Sequence, residues 1–151
     1  APWLMKAPLD LSKRDRRPTL AIFEQKVCAG CDETHAEGFP RPEVAALLKR
    51  FRAARVDIAA NEALKTPDGK SLPMREWSRK MKIAYTPSFV FFDASGQEVF
   101  RVEGYLRPFH LASSLDYVAS GAYRKQPEFQ RFIEARAAAR REKGEKIELM
   151  K

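Results

Sequence analysis

Two thiols at a spacing of three residues, Cys28 and Cys31, are the groups in this sequence most able to do chemistry. They are its only cysteines, too few for the disulfide framework of a small secreted scaffold. A Cys-x-x-Cys between a strand and the first turn of a helix is a redox device. The first cysteine meets unpaired backbone N–H groups and the positive end of the helix dipole, which stabilise a thiolate. Its pKa then falls below the free value of ~8.5, and the thiolate is the attacking species. The second cysteine lies one turn deeper and either closes the disulfide or releases a mixed disulfide. This assigns Cys28 as nucleophile and Cys31 as resolving thiol, with Ala29 and Gly30 shaping the space between them.

Other groups sit close by in sequence. His35 is four residues from Cys31 and seven from Cys28, so all three fit one helical face, where an imidazolium would favour the thiolate. The same three side chains form a partial metal-ligand set, but zinc usually takes four ligands, and the only other histidine is His110. A Cys–His hydrolase fits less well, because a disulfide would mask its nucleophile and no third orienting group is evident. Further on, Thr86-Pro87 precedes an apolar run. A proline there fits a cis bond at the mouth of the site, presenting the Thr86 backbone to a bound peptide. It fits a trans proline opening a strand equally well. Tyr105, Phe109 and His110 follow the last expected strand.

These groups need elements to position them. Thr19–Phe23 is a short apolar run reading as a strand buried on both faces. The stretch from Cys31 to Glu37 suits a short helix ended by Gly38 and Pro40. Beyond Pro42, the apolar residues Val44, Leu47, Leu48 and Phe51 recur with helical period. Residues 55–59 alternate as a second strand, and residues 61–72 read as a polar stretch with a turn at Pro67-Asp68-Gly69. A helix over 73–82 carries Met74, Trp77 and Met81. The strand 88–92, the turn 94–97 and the strand 98–102 make a hairpin in which Val99 is out of phase. Pro108 opens a helix closed by Gly121, and Pro127 opens a last one with Phe129, Phe132 and Ile133 as its apolar stripe. The order predicts an α/β mixed sheet with helices on its faces. The expected organisation is a lead-in over 1–17, a domain over 18–122 and a basic helical extension over 123–151.

Composition bounds the rest. The chain has 151 residues, 44% hydrophobic and 32% charged, which suits one globular domain with a modest extension and argues against global disorder. No apolar run approaches the ~20 residues of a membrane-spanning helix, and no signal peptide is visible. The net charge is +8, and from residue 123 onward nine Lys/Arg stand against five Asp/Glu. That mixture reads as a solvated helix face. It lacks the interleaved aromatics of a single-strand binder, so nucleic acid is not an expected partner.

Cys28-Ala-Gly-Cys31, Thr86-Pro87 and the strand Phe89–Phe92 with its hairpin resemble the thioredoxin superfamily. Other stretches are similar to its SoxW-type periplasmic branch: Pro2-Trp3, Phe23-Glu-Gln25, His35, Val56-Asp-Ile58, Asp68-Gly-Lys70, the run from Tyr85 to Asp93, and Gly104 to His110. The resemblance covers about residues 18–121. It implies a thioredoxin fold, a four-stranded mixed sheet flanked by helices with an extra C-terminal helix. It also implies thiol–disulfide exchange with a partner protein's disulfide or dithiol, with no metal or organic cofactor. The setting it implies is the periplasm, after removal of a signal peptide, with a membrane-bound thiol electron donor and a role in sulfur-compound oxidation. The sequence departs from the family in two places. Val27-Cys28-Ala-Gly-Cys31 replaces Trp-Cys-Gly-Pro-Cys, and Ile22 occupies the position, six residues before the first cysteine, where thioredoxin keeps a buried acid. Glu24 and His35 are the candidates to replace that acid and modulate the pair. The alternative to an enzyme is a thioredoxin-fold binding module, either a protein adaptor or a metal carrier through Cys28, Cys31 and His35.

Overall fold

The computed structural model describes residues 1–144; the last part of the expected extension, 145–151, lies outside the described residues. The central sheet consists of β1 (Thr19–Glu24), β2 (Arg52–Asp57), β5 (Ser88–Phe92) and β6 (Glu98–Glu103) in the order β2-β1-β5-β6. β1 runs parallel to β2 and antiparallel to β5, and β5 pairs antiparallel with β6. Among the described residues there are six α-helices: α1 (Ala29–Glu33), α2 (Pro42–Leu48), α3 (Met74–Lys80), α4 (Pro108–Ala119), α5 (Ala122–Lys125) and α6 (Phe129–Glu142). This is the thioredoxin fold with a helix added at its C-terminal end.

Strand parity divides the core. Leu20 and Ile22 of β1 point to one face with Ala53, Phe89 and Phe91, where they meet α2 and α4 through Val44, Leu48, Leu111 and Leu115. Ala21 and Phe23 point to the other with Ala54, Val56, Val90 and Phe92, where they meet Trp77 and Met74 of α3. Each large side chain buried this way contributes ~1.5–3 kcal/mol relative to exposure. The lead-in joins the second face: Leu9 and Leu11 are buried there, and Leu11 N–H donates to Lys65 O at 2.8 Å.

Several elements differ from the sequence expectation. β2 begins at Arg52, because this arginine is buried with its guanidinium donating to the carbonyls of Lys13 and Asp10. α2 ends at Leu48, so Phe51 reaches the core from the turn after the helix. The stretch 61–72 contains an antiparallel ribbon, β3 (Ala63–Lys65) with β4 (Ser71–Pro73). α3 covers Met74–Lys80, with Met74 and Trp77 buried. In the β5–β6 hairpin, Phe91 pairs with Phe100 and Phe92 with Glu98, which leaves Val99 as an irregularity in the ladder.

α6 begins at Phe129, after the short α5. It packs on α4 through Ile133 and Ala137, and Phe129 and Phe132 meet the ring of Tyr117 at 5.1 and 4.9 Å. Glu43 of α2 is bonded by both Arg136 and Arg140 of α6, Arg140 Nη1 at 2.8 Å, and Arg136 Nε also reaches Asp116 of α4 at 3.0 Å. Among the described residues, no helix is long and apolar enough to cross a membrane.

Candidate active site

β1 ends at Glu24, and four residues later Cys28 caps α1 with extended backbone (φ −156°, ψ 99°). A disulfide joins Cys28 to Cys31, with their Cα atoms 5.2 Å apart. The Cys31 N–H donates to Cys28 Sγ at 3.1 Å, so an orphan amide of the first turn is aimed at the first sulfur. On reduction that donor faces a thiolate. Cys31 is the more buried of the pair. Gly30 is packed closely by the rest of the site, since a Cβ on it would stand 3.2 Å from Pro87 Cδ and 3.4 Å from Tyr105 Cβ.

The helix expected from Cys31 to Glu37 instead starts at Ala29 and becomes a π-helical turn over Thr34–Gly38. Thr34 Oγ1 donates to Gly30 O at 2.6 Å, and Phe39 N–H closes the wide turn on Thr34 O at 2.9 Å. His35 lies in this turn. Its Nε2 is 2.6 Å from Glu24 Oε2, and its ring meets Phe39 edge-on at 4.9 Å.

Glu24 is only 1% exposed. Strand parity explains its aim: it shares a face with Ile22, one pleat nearer the cysteines, where it borders the same cleft as Cys31. Its other oxygen, Oε1, accepts from Arg55 Nε. Arg55 stands opposite Ile22 in the β1–β2 register, diagonal to Glu24. Glu24, Gln25, Lys26, Cys31, Asp32, His35, Ala36 and Arg55 line one open cleft of about 480 Å³.

The second loop of the site carries Thr86 and Pro87, joined by a cis peptide bond. Gln25 Nε2 donates to Thr86 Oγ1 at 3.1 Å, and Gly104 N–H donates to Pro87 O at 2.8 Å. The structure thus brings Cys28, Cys31, Ala29, Gly30, Thr86 and Pro87 to one end of the sheet, with Glu24 and His35 paired beside Cys31. His110 sits in the first turn of α4 beside Phe109. Its Nδ1 is buried without a hydrogen-bond partner, and burial lowers its pKa. Among the described residues no cluster of three or more His, Cys, Asp or Glu is arranged to hold a metal.

The exposed large apolar side chains are Val27 at 92%, Tyr85 at 64% and Tyr105 at 38%. They belong to the same end of the molecule: Val27 precedes Cys28, Tyr85 precedes Thr86 and Tyr105 packs by Gly30. Sequence reasoning did not single out Gln25 as a tether or Arg55 as the partner of Glu24, and of this apolar rim it marked Tyr105 alone, as a residue shaping partner choice. The alternation of residues 55–59 beside the apolar run of β1 carries the signal for Arg55. Nothing local marks Gln25, whose partner is 61 residues away.

A mixed sheet ordered β2-β1-β5-β6 and a Cys-x-x-Cys pair capping the first helix define the thioredoxin class. A family model described as a thioredoxin-like domain matches residues 5–119, and the chain belongs to that family. A thioredoxin-fold protein from Helicobacter pylori superposes with a TM-score of 0.80 at 15% identity, covering 91% of this chain and 94% of that one. A thioredoxin from Thermus thermophilus gives 0.52 at 26% identity, over 68% and 73% of the two chains. The oxidised C-terminal domain of DsbD from Neisseria meningitidis gives 0.52 at 18%, over 66% and 78%. No curated protein matches by sequence search.

Proposed function

We propose that this protein is a thiol–disulfide oxidoreductase that exchanges its Cys28–Cys31 pair with a disulfide or dithiol on a partner protein. One observation carries the reading: the disulfide caps α1 of a thioredoxin-like domain with the Cys31 amide donating to Cys28 Sγ. Cys28 thiolate attacks a partner sulfur along the S–S axis and forms a mixed disulfide. Cys31 then attacks Cys28 and frees the reduced partner, and the oxidising direction reverses these steps. The Thr86–Pro87 loop and the flat Ala29-Gly30 segment form the surface on which the partner's chain lies. Glu24 and His35 modulate the pair from the cleft beside Cys31.

The finer setting rests on the SoxW-type resemblance of the sequence. In it the protein works in the periplasm as a reductant, is kept reduced by a membrane-bound thiol donor, and serves sulfur-compound oxidation. Residues 123–151 are a basic extension of the domain in this reading, with α6 covering Phe129–Glu142.

The test is the reduction potential of the couple in a metal-free glutathione series. Known pairs span about −270 to −120 mV. A value near the lower end supports a reductant, and one near the upper end supports a disulfide donor. Cys28→Ser abolishes reduction of insulin, and Cys31→Ser accumulates mixed disulfides. Absence of a reversible couple, or turnover retained without Cys28, overturns the reading in favour of a non-enzymatic binding module.

A further inference from the structure

The resolving step needs Cys31 to lose a proton inside a wall of the protein, and the groups that share its cleft are few. From β1 the cleft receives Glu24, from the loop before Cys28 it receives Gln25 and Lys26, from β2 Arg55, and from α1 and the π-helical turn Asp32, His35 and Ala36. Asp57, opposite Glu24 in the register, spends its carboxylate on the Ala59 N–H at 2.9 Å.

Each oxygen of Glu24 is already engaged. One is taken by Arg55 Nε and the other by His35 Nε2. A carboxylate accepts at both oxygens, so His35 donates from Nε2. In the neutral ring the lone pair then falls on Nδ1. The bond to Glu24 therefore fixes the tautomer, while the edge-on Phe39 ring holds the plane of the imidazole. The cleft is open and has room for a bridging water.

We propose that His35 takes the Cys31 proton when the mixed disulfide is resolved, and that Glu24, held in turn by Arg55, is the residue that positions it. The proposal rests on the exchange reading above. The Cys31 Sγ–H gives its proton to His35 Nδ1, directly or through one water. The Cys31 sulfur then forms a bond to Cys28 Sγ, and the bond from Cys28 to the partner sulfur breaks. The partner sulfur leaves with the electron pair as a thiolate. The Cys28–Cys31 pair is oxidised, the partner is reduced, and His35 returns its proton to solvent or to the departing thiolate.

The two steps are separable with Ellman's reagent as the probe. Mixed with reduced protein, it releases one thionitrobenzoate when Cys28 attacks and a second when Cys31 resolves. His35→Gln keeps a side-chain N–H for Glu24 but cannot accept the proton. It slows the second release by about 100-fold, the lower range for loss of a positioned base, and the first release far less. In His35→Ala, added imidazole restores the second release. A purely structural histidine would not produce that rescue. Glu24→Gln slows the second release less than His35→Gln does, since the imidazole remains but is no longer held in one tautomer.

Three results overturn the assignment. An unchanged second release in His35→Gln removes His35 from the step. No rescue of His35→Ala by imidazole does the same. A deeper loss in Glu24→Gln than in His35→Gln makes Glu24 itself the base. The exchange reading fails separately: in that case the unaltered protein shows no reversible Cys28–Cys31 couple in a glutathione series and does not reduce insulin.

Discussion

Gln25 donates its side-chain amide to Thr86 Oγ1 at 3.1 Å, tying the loop that delivers Cys28 to the loop that carries Pro87. These loops lie 61 residues apart in sequence and meet because β1 and β5 are neighbours in the sheet. The tether is exposed, so its worth lies in fixing two loops relative to each other more than in stability.

Gln25→Ala should therefore slow exchange with a disulfide-containing peptide several-fold. Loss of one hydrogen bond of ~1 kcal/mol sets the scale at about five-fold. Reduction of the protein by dithiothreitol, which needs no peptide-binding surface, should stay unchanged. Parallel stopped-flow traces with the two reagents check this, and an equal loss in both would assign Gln25 to the cysteines instead.

The apolar rim predicts a different split. Tyr85 and Tyr105 expose rings beside the disulfide, where a polypeptide substrate would cover them. Replacing either by serine removes apolar contact of order 1 kcal/mol, about a five-fold rise in KM for an unfolded disulfide-bonded polypeptide. The kcat should change little, because neither ring is bonded to a cysteine. A fall in kcat at constant KM would contradict the docking role.

The parts of this arrangement that are local in sequence were legible there. The apolar run of β1 marks a strand covered on both faces, and the Cys-x-x-Cys after it marks a capped helix. The α/β class followed from the order of such runs. What escaped is non-local or polar. β3 and β4 are short and partly exposed, so they have almost no alternation to read. Arg52, a charged residue before the expected strand, has no local mark of burial; the backbone carbonyls that accept from it supply the reason. The π-helical turn at Thr34 has no clear periodic signature, yet it is the segment that carries His35 to Glu24. Ile22 in place of an acid is visible, and strand parity puts Glu24 on the same face; that Arg55 holds Glu24 there required the register of β1 with β2.

Glu43 is held below the ordinary carboxylate range, first by its hydrogen bond from Arg140 and further by Arg136, against the opposing effect of burial. A carboxyl depressed on folding stabilises the protein above its unfolded value and loses that contribution as pH falls through its folded value. Above the ordinary glutamate value of 4.5 the contribution is complete; on acidification below it, it fades. The group is partly exposed, so its worth is about 1 kcal/mol at most. Glu43→Gln should lower Tm by ~2–4 °C at neutral pH. Thermal melts across acid pH should show the two proteins converging as Glu43 protonates. A constant gap at all pH values would mean that packing and not charge accounts for the difference.

The C-terminal helix offers the sharpest contrast between its two faces. Ile133 is fully buried and Ala137 lies on the same stripe one turn on, whereas Arg141 faces solvent. The aromatic group formed by Tyr117, Phe129 and Phe132 continues the packing, and Tyr117 also donates its hydroxyl to Gln126 O at 2.5 Å. Removing a buried branched side chain costs ~2–5 kcal/mol, because a cavity remains where it stood. Ile133→Ala should thus lower Tm by roughly 5–10 °C. Arg141→Ala should stay within ~0.5 kcal/mol of the unaltered chain, as exposed substitutions do. If α6 shares the cooperative unit of the sheet, Ile133→Ala melts in one transition shifted to lower temperature. A separate early transition, with the main Tm unmoved, would show that α6 undocks on its own and contributes nothing to the domain that holds Cys28 and Cys31.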